Sequence, residues 1–553
     1  MKIHKKLKYI FAAIGLSISL VACDSYLEEE NRSNVTAENY YTSDNANELV
    51  TAVYQSLREV YNNYDQAFYG TDIFTQQGQL FNIDPLNEYS NMSGTDANDS
   101  WYDNYKVVSR ANITINRYLN QISWADALIG QRDLGIAEAK ALRALAYYNL
   151  VQQYGGVVIY LNEVDEIRYD YARSSEEDTF AQIIADLEEA IPVLETSPSN
   201  FGSFSKRAAQ HLLADVYLTK AYKSFGTSTD YDMAASLAEQ AIGGYDIRSQ
   251  TYAQVFDFGN QENAEVLFSV QYGSEGTDNR SNTKNGILMN VAYNYLGIAR
   301  TNNPYGETQE DVPFIMPTDF LYSLFADNDT RDAVTFHRTL YATEASLAAD
   351  NGLEDIAVGD IVAYFPKVAL SDVDLANMLN EHYVFQPTDY GFDAAVNVPG
   401  ALYQYSANLN DVNFPIFAKF DEEAQDGNGY RDLFVFRVAE THLIAAEAFL
   451  GAGNTTSALS HINRVRERAT GVMNHYASIT IDDILNERAV ELAGEENRWN
   501  VLKRTGKLQE RVAMYNPHFQ DHGSFNAATH LVRPIPSNEL ELSDGSLVPN
   551  PGY

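Results

Sequence analysis

The chain has one cysteine, Cys23, in 553 residues. A disulfide framework is therefore excluded, and the folded body must be stable through packing alone. Basic residues are also scarce: 38 Lys and Arg stand against 76 Asp and Glu, a net charge of −38. Such a chain repels a phosphate backbone, which argues against a general nucleic-acid binder. An anionic ligand would need a local basic patch. Long apolar runs are missing too. The best, Tyr9 to Ala22, has 14 residues, short of the roughly 20 that a spanning helix needs. Catalytic signatures are absent as well: there is no Gly-x-Ser-x-Gly elbow, no His-Glu-x-x-His and no phosphate loop. What is present is an ordinary core composition. Hydrophobic residues make up 45% and aromatics 12%, with 38 Tyr against 26 Phe, so the bulk of the chain is not disordered. At roughly 150 residues per domain, the length suits several domains or one large domain with insertions.

The N-terminus sets the compartment. Lys2, Lys5, Lys6 and Lys8 precede the apolar run, which ends Leu20-Val21-Ala22-Cys23. This is the layout of a signal peptide, and its end resembles a bacterial lipobox, in which the cysteine is acylated and becomes the first residue. Residues 1–22 are expected to be cleaved, leaving Cys23 lipidated, with palmitate among its acyl chains. Each buried methylene would contribute about 0.8 kcal/mol to anchoring. The mature chain then carries 34 basic and 76 acidic residues, a net −42. The run Asp24 to Glu30 (DSYLEEE) reads as a solvated tether; it also resembles the acidic export tag of Bacteroidota surface lipoproteins.

The body reads as mainly helical. Helical spacing of apolar residues marks Ala46–Tyr61, Trp101–Ile122, Ile136–Leu150 and Thr179–Leu194. Helix pairs recur: Ile136–Gln153 with Thr179–Leu194, Lys206–Tyr222 with Tyr231–Ile242, and Leu433–Leu450 with Thr455–Ala469. The second pair sets Ala234, Ala238 and Ala241 against Leu212, Leu213 and Val216. That pattern is similar to tetratricopeptide repeats of about 34 residues, which bury their apolar faces by stacking. Helical repeats are expected over about 44–242 and 430–505, with a loop-rich insertion over about 243–429. The insertion holds one clear strand, Glu265 to Tyr272, and long stretches rich in Asn, Asp, Gly and Tyr. After Lys507 the chain reads as irregular.

Five stretches, in order, resemble the SusD/RagB family of Bacteroidota surface lipoproteins. They are Trp101-x3-Tyr105-x6-Asn112; Arg143 to Tyr148 leading to Tyr154-Gly155-Gly156-Val157; Arg437-x2-Glu440-x2-Leu443-x3-Glu447-Ala448 with Asn463-x-Val465-Arg466; Glu487-Arg488-Ala489-x-Glu491-Leu492 running into Glu495-x2-Arg498-Trp499; and Pro534-Ile535-Pro536 before the terminal Asn-Pro-Gly-Tyr. Val158 and Arg533 depart from the family's usual Pro and apolar residue. The resemblance spans nearly the whole chain. It implies a mainly α SusD-like fold and a non-enzymatic binding protein, lipid-anchored on the outer face of the outer membrane. Such a protein captures an oligosaccharide, or for a RagB-like relative a peptide, and delivers it to a SusC-like TonB-dependent transporter. No cofactor is implied.

The motif residues themselves look structural. Glu487, Arg488, Glu491, Glu495 and Arg498 sit at spacings suited to pairs along one helix, each weak if exposed. Trp101 and Trp499 read as core anchors. His518, His522 and His530 gather loosely without zinc-ligand spacing. Asp421 to Gly429 lacks the alternating ligands of an EF-hand loop and reads as a solvated turn. Glycan recognition needs flat aromatics for C–H faces and polar partners for hydroxyls, and Tyr supplies both at low entropy cost. Two stretches have that mixture. The first holds Phe81, Asn82, Asn87, Tyr89 and Asn91; the second holds Asn290, Tyr293, Asn294, Tyr295, Arg300, Asn302, Asn303 and Tyr305. The glycan-binding candidates are Phe81, Tyr89, Asn91, Tyr293, Tyr295, Arg300 and Tyr305; each could equally pack its own loop. Arg280, Lys284 and Arg300 are the nearest cations for an anionic glycan. The charge would suit a saline habitat and a marine algal polysaccharide.

Overall fold

The computed structural model describes residues 40–62, 65–76, 84–164, 169–273, 315–342, 356–379, 381–386, 415–420 and 431–553. Eight long helices form one continuous stack. They are α1 (Asn47–Val60), α2 (Asn98–Asn120), α3 (Ile129–Tyr154), α4 (Glu176–Ala190), α5 (Lys206–Ala221), α6 (Ser228–Ile242), α7 (Val438–Gly451) and α8 (Thr455–Thr470). Each packs on the next, and α6 meets α7 although the intervening chain runs through the whole insertion. Side-chain caps fix the starts. The Ser175 and Ser205 hydroxyls accept from the backbone N–H of Asp178 and Ala208, and Thr227 with Asp230 closes a capping box on α6.

Small residues at the α6–α7 crossing let the backbones approach. Ala234, Ala238, Ala445 and Ala448 are fully buried. A Cβ on Gly451 would lie 2.4 Å from the Tyr231 ring, so the last helix pair seats on the second through a glycine. Trp101 and Trp499 are core residues. Arg533 and Lys503 stack on Trp499 at 4.4 and 4.5 Å.

The structure differs from the periodicity in three places. The helix expected from Leu433 starts only at Val438. Leu433–Arg437 is instead strand β4, antiparallel to β2 (Val266–Val270), because its aromatic and β-branched residues fill a ladder that α5 covers through His211 on Phe436. The region after Lys507 is helical, with turns at Leu508–Tyr515, Pro517–His522, Ala527–His530 and Ser537–Leu542. They are too short to show a 3.6-residue pattern. The terminal Asn550 is buried, its amide donating to Tyr154 O and Arg533 O at 3.0 and 2.8 Å, which ties the tail to the end of α3. Third, the Glu/Arg motif does not pair along one helix. Helix α9 (Ile481–Glu491) ends before Glu495, and these side chains reach across the molecule. Arg331 contacts Asp329, Glu487 and Glu491 at 2.8, 2.8 and 3.0 Å. Arg437 contacts Glu265, Glu491 and Glu495 at 2.6, 3.2 and 2.5 Å. Arg468 joins Glu265 to Glu491. Burial alone would raise the Glu491 carboxyl, but Arg468, Arg437 and Arg331 hold it at about 2.

Among the described residues no helix is long and apolar enough to cross a membrane.

Candidate functional site

Strand β1 (Phe74–Gln76) pairs antiparallel with β3 (Ile315–Pro317), and Gln76 faces Ile315 at one end of the ribbon. Residues 77–83 follow Gln76 in the chain, and residues 274–314 precede Ile315. The two Tyr- and Asn-rich stretches therefore begin and finish at the same end of one ribbon.

That ribbon is held by buried polar groups. Asp72, fully buried just before β1, accepts from Arg498 Nε and Nη2 and from Arg511 Nε, all at 2.8 Å. Thr318, just after β3, donates its N–H to Ile73 O at 3.0 Å and its hydroxyl to Asp72 O at 2.7 Å. Thr75 Oγ1 lies 2.9 Å from His518 Nδ1 and 3.2 Å from Asn516 Oδ1. Asn87 Nδ2 lies 2.9 Å from the same His518 nitrogen. Asn87 and His518 are thus clamp residues that fix β1. Among the described residues no group of three or more His, Cys, Asp or Glu is placed to hold a metal ion.

The other stem of the 274–314 stretch is Gln271–Tyr272. Arg58 of α1 donates from Nε and Nη2 to Gln271 O at 3.1 and 2.8 Å and stacks on Tyr272 at 5.2 Å. Asp432 accepts from Tyr272 N at 2.8 Å and Gln271 Nε2 at 2.9 Å. Burial lifts the Asp432 carboxyl to about 6, so the folded state binds its proton more tightly than the unfolded chain. That contribution to stability is full below about 3.8 and is lost as pH rises through about 6. Asp432→Asn, which removes the buried charge, should therefore gain on wild type as pH rises from 5 to 8. Melting curves across that window check it; a gap that shrinks with rising pH would contradict this origin.

Of the candidate ligand residues, Tyr89 changes role. It is fully buried, edge-on to Phe519 and Phe525, and its hydroxyl donates to Gly70 O. It offers no face to a ligand. It sits in the left-handed region at φ 56°, capping the turn Pro85–Glu88. Asn91, two residues on, is exposed with φ 53°. Cys23, Phe81, Asn82, Arg280, Lys284, Tyr293, Tyr295, Arg300, Tyr305 and the Asp421–Gly429 stretch lie outside the described residues.

Sequence patterning missed a cleft of about 410 Å³ beside β3. Its walls include Met316, Asp319, Phe320, Tyr515 and Gln520. Phe320 and Tyr515 stack with centroids 3.6 Å apart and planes 14° from parallel. They are 195 positions apart in sequence, so no local motif could join them.

Residues 264–553 match the family model described as the SusD family. The chain belongs to the SusD family. Residues 25–218 also match a model described as starch-binding, associating with the outer membrane. A SusD-like protein of Formosa agariphila is 25% identical, with 98% of this chain and 97% of the relative covered. A SusD-like protein of Bacteroides ovatus is 27% identical over 90% and 82%. Among solved structures, a SusD homologue from Bacteroides thetaiotaomicron aligns with a TM-score of 0.69 at 20% identity, covering 95% of this chain and all of that one. A laminarin-binding SusD-like protein aligns with a TM-score of 0.63 at 23% identity, over 93% and 100%. These neighbours share the mainly α SusD fold. Glycan binding and association with the outer membrane are properties of the family, and no enzymatic family is indicated.

Proposed function

We propose that this chain is a non-catalytic, surface-exposed lipoprotein. Its lipid is on Cys23; it captures a polysaccharide or oligosaccharide and delivers it to a SusC-like TonB-dependent transporter. The observation that carries the reading is the shared ribbon end, where the stretch with Phe81 and the stretch with Tyr293, Tyr295, Arg300 and Tyr305 meet the scaffold. Asn91 is the exposed described residue next to the first stretch. The laminarin-binding neighbour supports a glycan as cargo, and an algal source remains part of the proposal.

Affinity electrophoresis of the mature protein lacking Cys23, beside Tyr293→Ala and Tyr295→Ala, tests the site. Retardation by a glycan is expected, without release of reducing sugar and weakened at least tenfold in each variant. The wild-type affinity should be about micromolar or weaker, because shallow stacking leaves much of a glycan hydrated. Retardation unchanged by both substitutions would remove this site. Binding of peptides and of no glycan would favour a RagB-like import protein.

A further inference from the structure

We propose that the cleft between β3 and helix α10 (Leu508–Tyr515) is a subsite for an uncharged sugar unit of the glycan. The inference rests on the glycan-capture reading and adds to it a location and a ligand class.

The cleft has a flat wall and a polar rim. The stacked Phe320 and Tyr515 rings, both half-buried, line it and fix each other's planes, so the ring surface that the stack leaves uncovered is preset for a C–H face. Arg511 lies 5.1 and 5.6 Å from their centroids, but its nitrogens are spent. Nε is on Asp72 at 2.8 Å, Nη1 on Asp482 at 2.9 Å and Nη2 on Asn486 at 2.6 Å. Among the described residues no cation lines the cleft, and one carboxylate does, that of Asp319. Asp319 is exposed and has no hydrogen-bond or ion-pair partner among the described residues. An anionic uronate or sulfated unit would meet that carboxylate without a counter-charge.

Two of the remaining polar groups offer acceptors. Thr318 spends its hydroxyl proton on Asp72 O, and Ser323 spends its own on Phe320 O, both at 2.7 Å. Gln520 donates to Met514 O at 2.7 Å, which leaves its carbonyl oxygen to accept. Asp319 and Gln520 therefore present acceptors beside an aromatic wall. The complementary ligand carries several hydroxyl donors and an apolar face, as a neutral sugar ring does. At about 410 Å³ the cleft lies at the small end of the ~300–1,000 Å³ typical of small-molecule sites, which suits part of a chain.

The test is affinity electrophoresis of wild type, Asp319→Ala and Tyr515→Ala in two sets of gels. One set carries uncharged polysaccharides (laminarin, xylan, galactomannan), the other anionic ones (alginate, pectate, carrageenan). Melting curves check that the variants are folded. Asp319→Ala is the safer variant, since Asp319 is exposed and its side chain has no bonded partner among the described residues. Retardation by an uncharged glycan, at least tenfold weaker in both variants, is expected. Uncharged-glycan binding unchanged in Asp319→Ala would overturn the subsite and leave glycan capture standing. Binding of an anionic glycan alone would overturn the ligand class. Binding of neither class would overturn the capture reading and this inference with it.

Discussion

Glu491→Ala should cost about 3–5 kcal/mol of folding stability, the usual loss when one partner of a buried charge network is removed. Glu491 is fully buried at the end of α9. It takes Arg331 at 3.0 Å and Arg437 at 3.2 Å, and it also pairs with Arg468. Its loss leaves three buried guanidiniums short of a counter-ion, which neither water nor a flexible side chain can replace. The pH dependence has a definite sign. Its folded carboxyl titrates at about 2, below the ordinary 4.5. Its contribution is therefore fully present above about 4.5 and is lost as pH falls toward about 2. Denaturant unfolding at pH 7 and at pH 3.5 measures both effects. The gap between wild type and variant should narrow at the lower pH, and a loss at pH 7 below about 1 kcal/mol would mean the network is not rigidly closed. By contrast, Glu510→Ala removes only an exposed pair with Lys507 and should leave the curve unchanged.

The same network marks the limit of what residue patterns carry. Helices α5 and α6 were legible because the alanines of α6 recur at helical spacing against the apolar face of α5; that spacing does not reach the Thr227/Asp230 cap that starts α6 at Ser228, three residues before Tyr231. Leu433 to Arg437 was not, because an apolar run that enters a helix without Gly or Pro carries no boundary marker. Arg498 sits at helical spacing from Glu495, yet its bidentate partner is Asp72, 426 residues earlier. A lone Asp in an irregular stretch carries no signal of that kind. Tyr89 shows the same limit on the ligand side. A tyrosine among asparagines has the composition of a sugar platform, but composition does not say which way the ring turns. Here it turns inward, onto Phe519 and Phe525. The pair Phe320 and Tyr515 shows the converse, a platform built from two segments that neither local sequence suggests.

Asp72→Asn should show that the ribbon carrying the site is set by charge from the far end of the chain. Asp72 is the sole acidic partner that the described structure gives to Arg511 Nε, and it takes Arg498 through both carboxylate oxygens. The Asn side chain keeps the volume and one acceptor, but leaves Arg498 with Glu496 at 3.6 Å and Arg511 with the half-exposed Asp482 as their acidic partners among the described residues. Asp72 lies one residue before Ile73, whose carbonyl accepts from Thr318, and two before the start of β1. A shift of Asp72 is thus passed directly to β1, to β3 and to the Arg511 that flanks Phe320 and Tyr515. The expected result is a local loss of about 3–5 kcal/mol at the ribbon, with glycan retardation weakened more than tenfold. Burial would raise the Asp72 carboxyl, but Arg498 and Arg511 hold it below its ordinary 3.8. In wild type its contribution is present above about 3.8 and lost as pH falls below it. Hydrogen exchange separates a local role from a global one. Amides of Phe74–Gln76, Ile315 and Met316 should exchange faster in the variant, while those at the centres of α5 and α6 keep their wild-type rates. Equal acceleration everywhere would mean that Asp72 supports the whole fold rather than the ribbon.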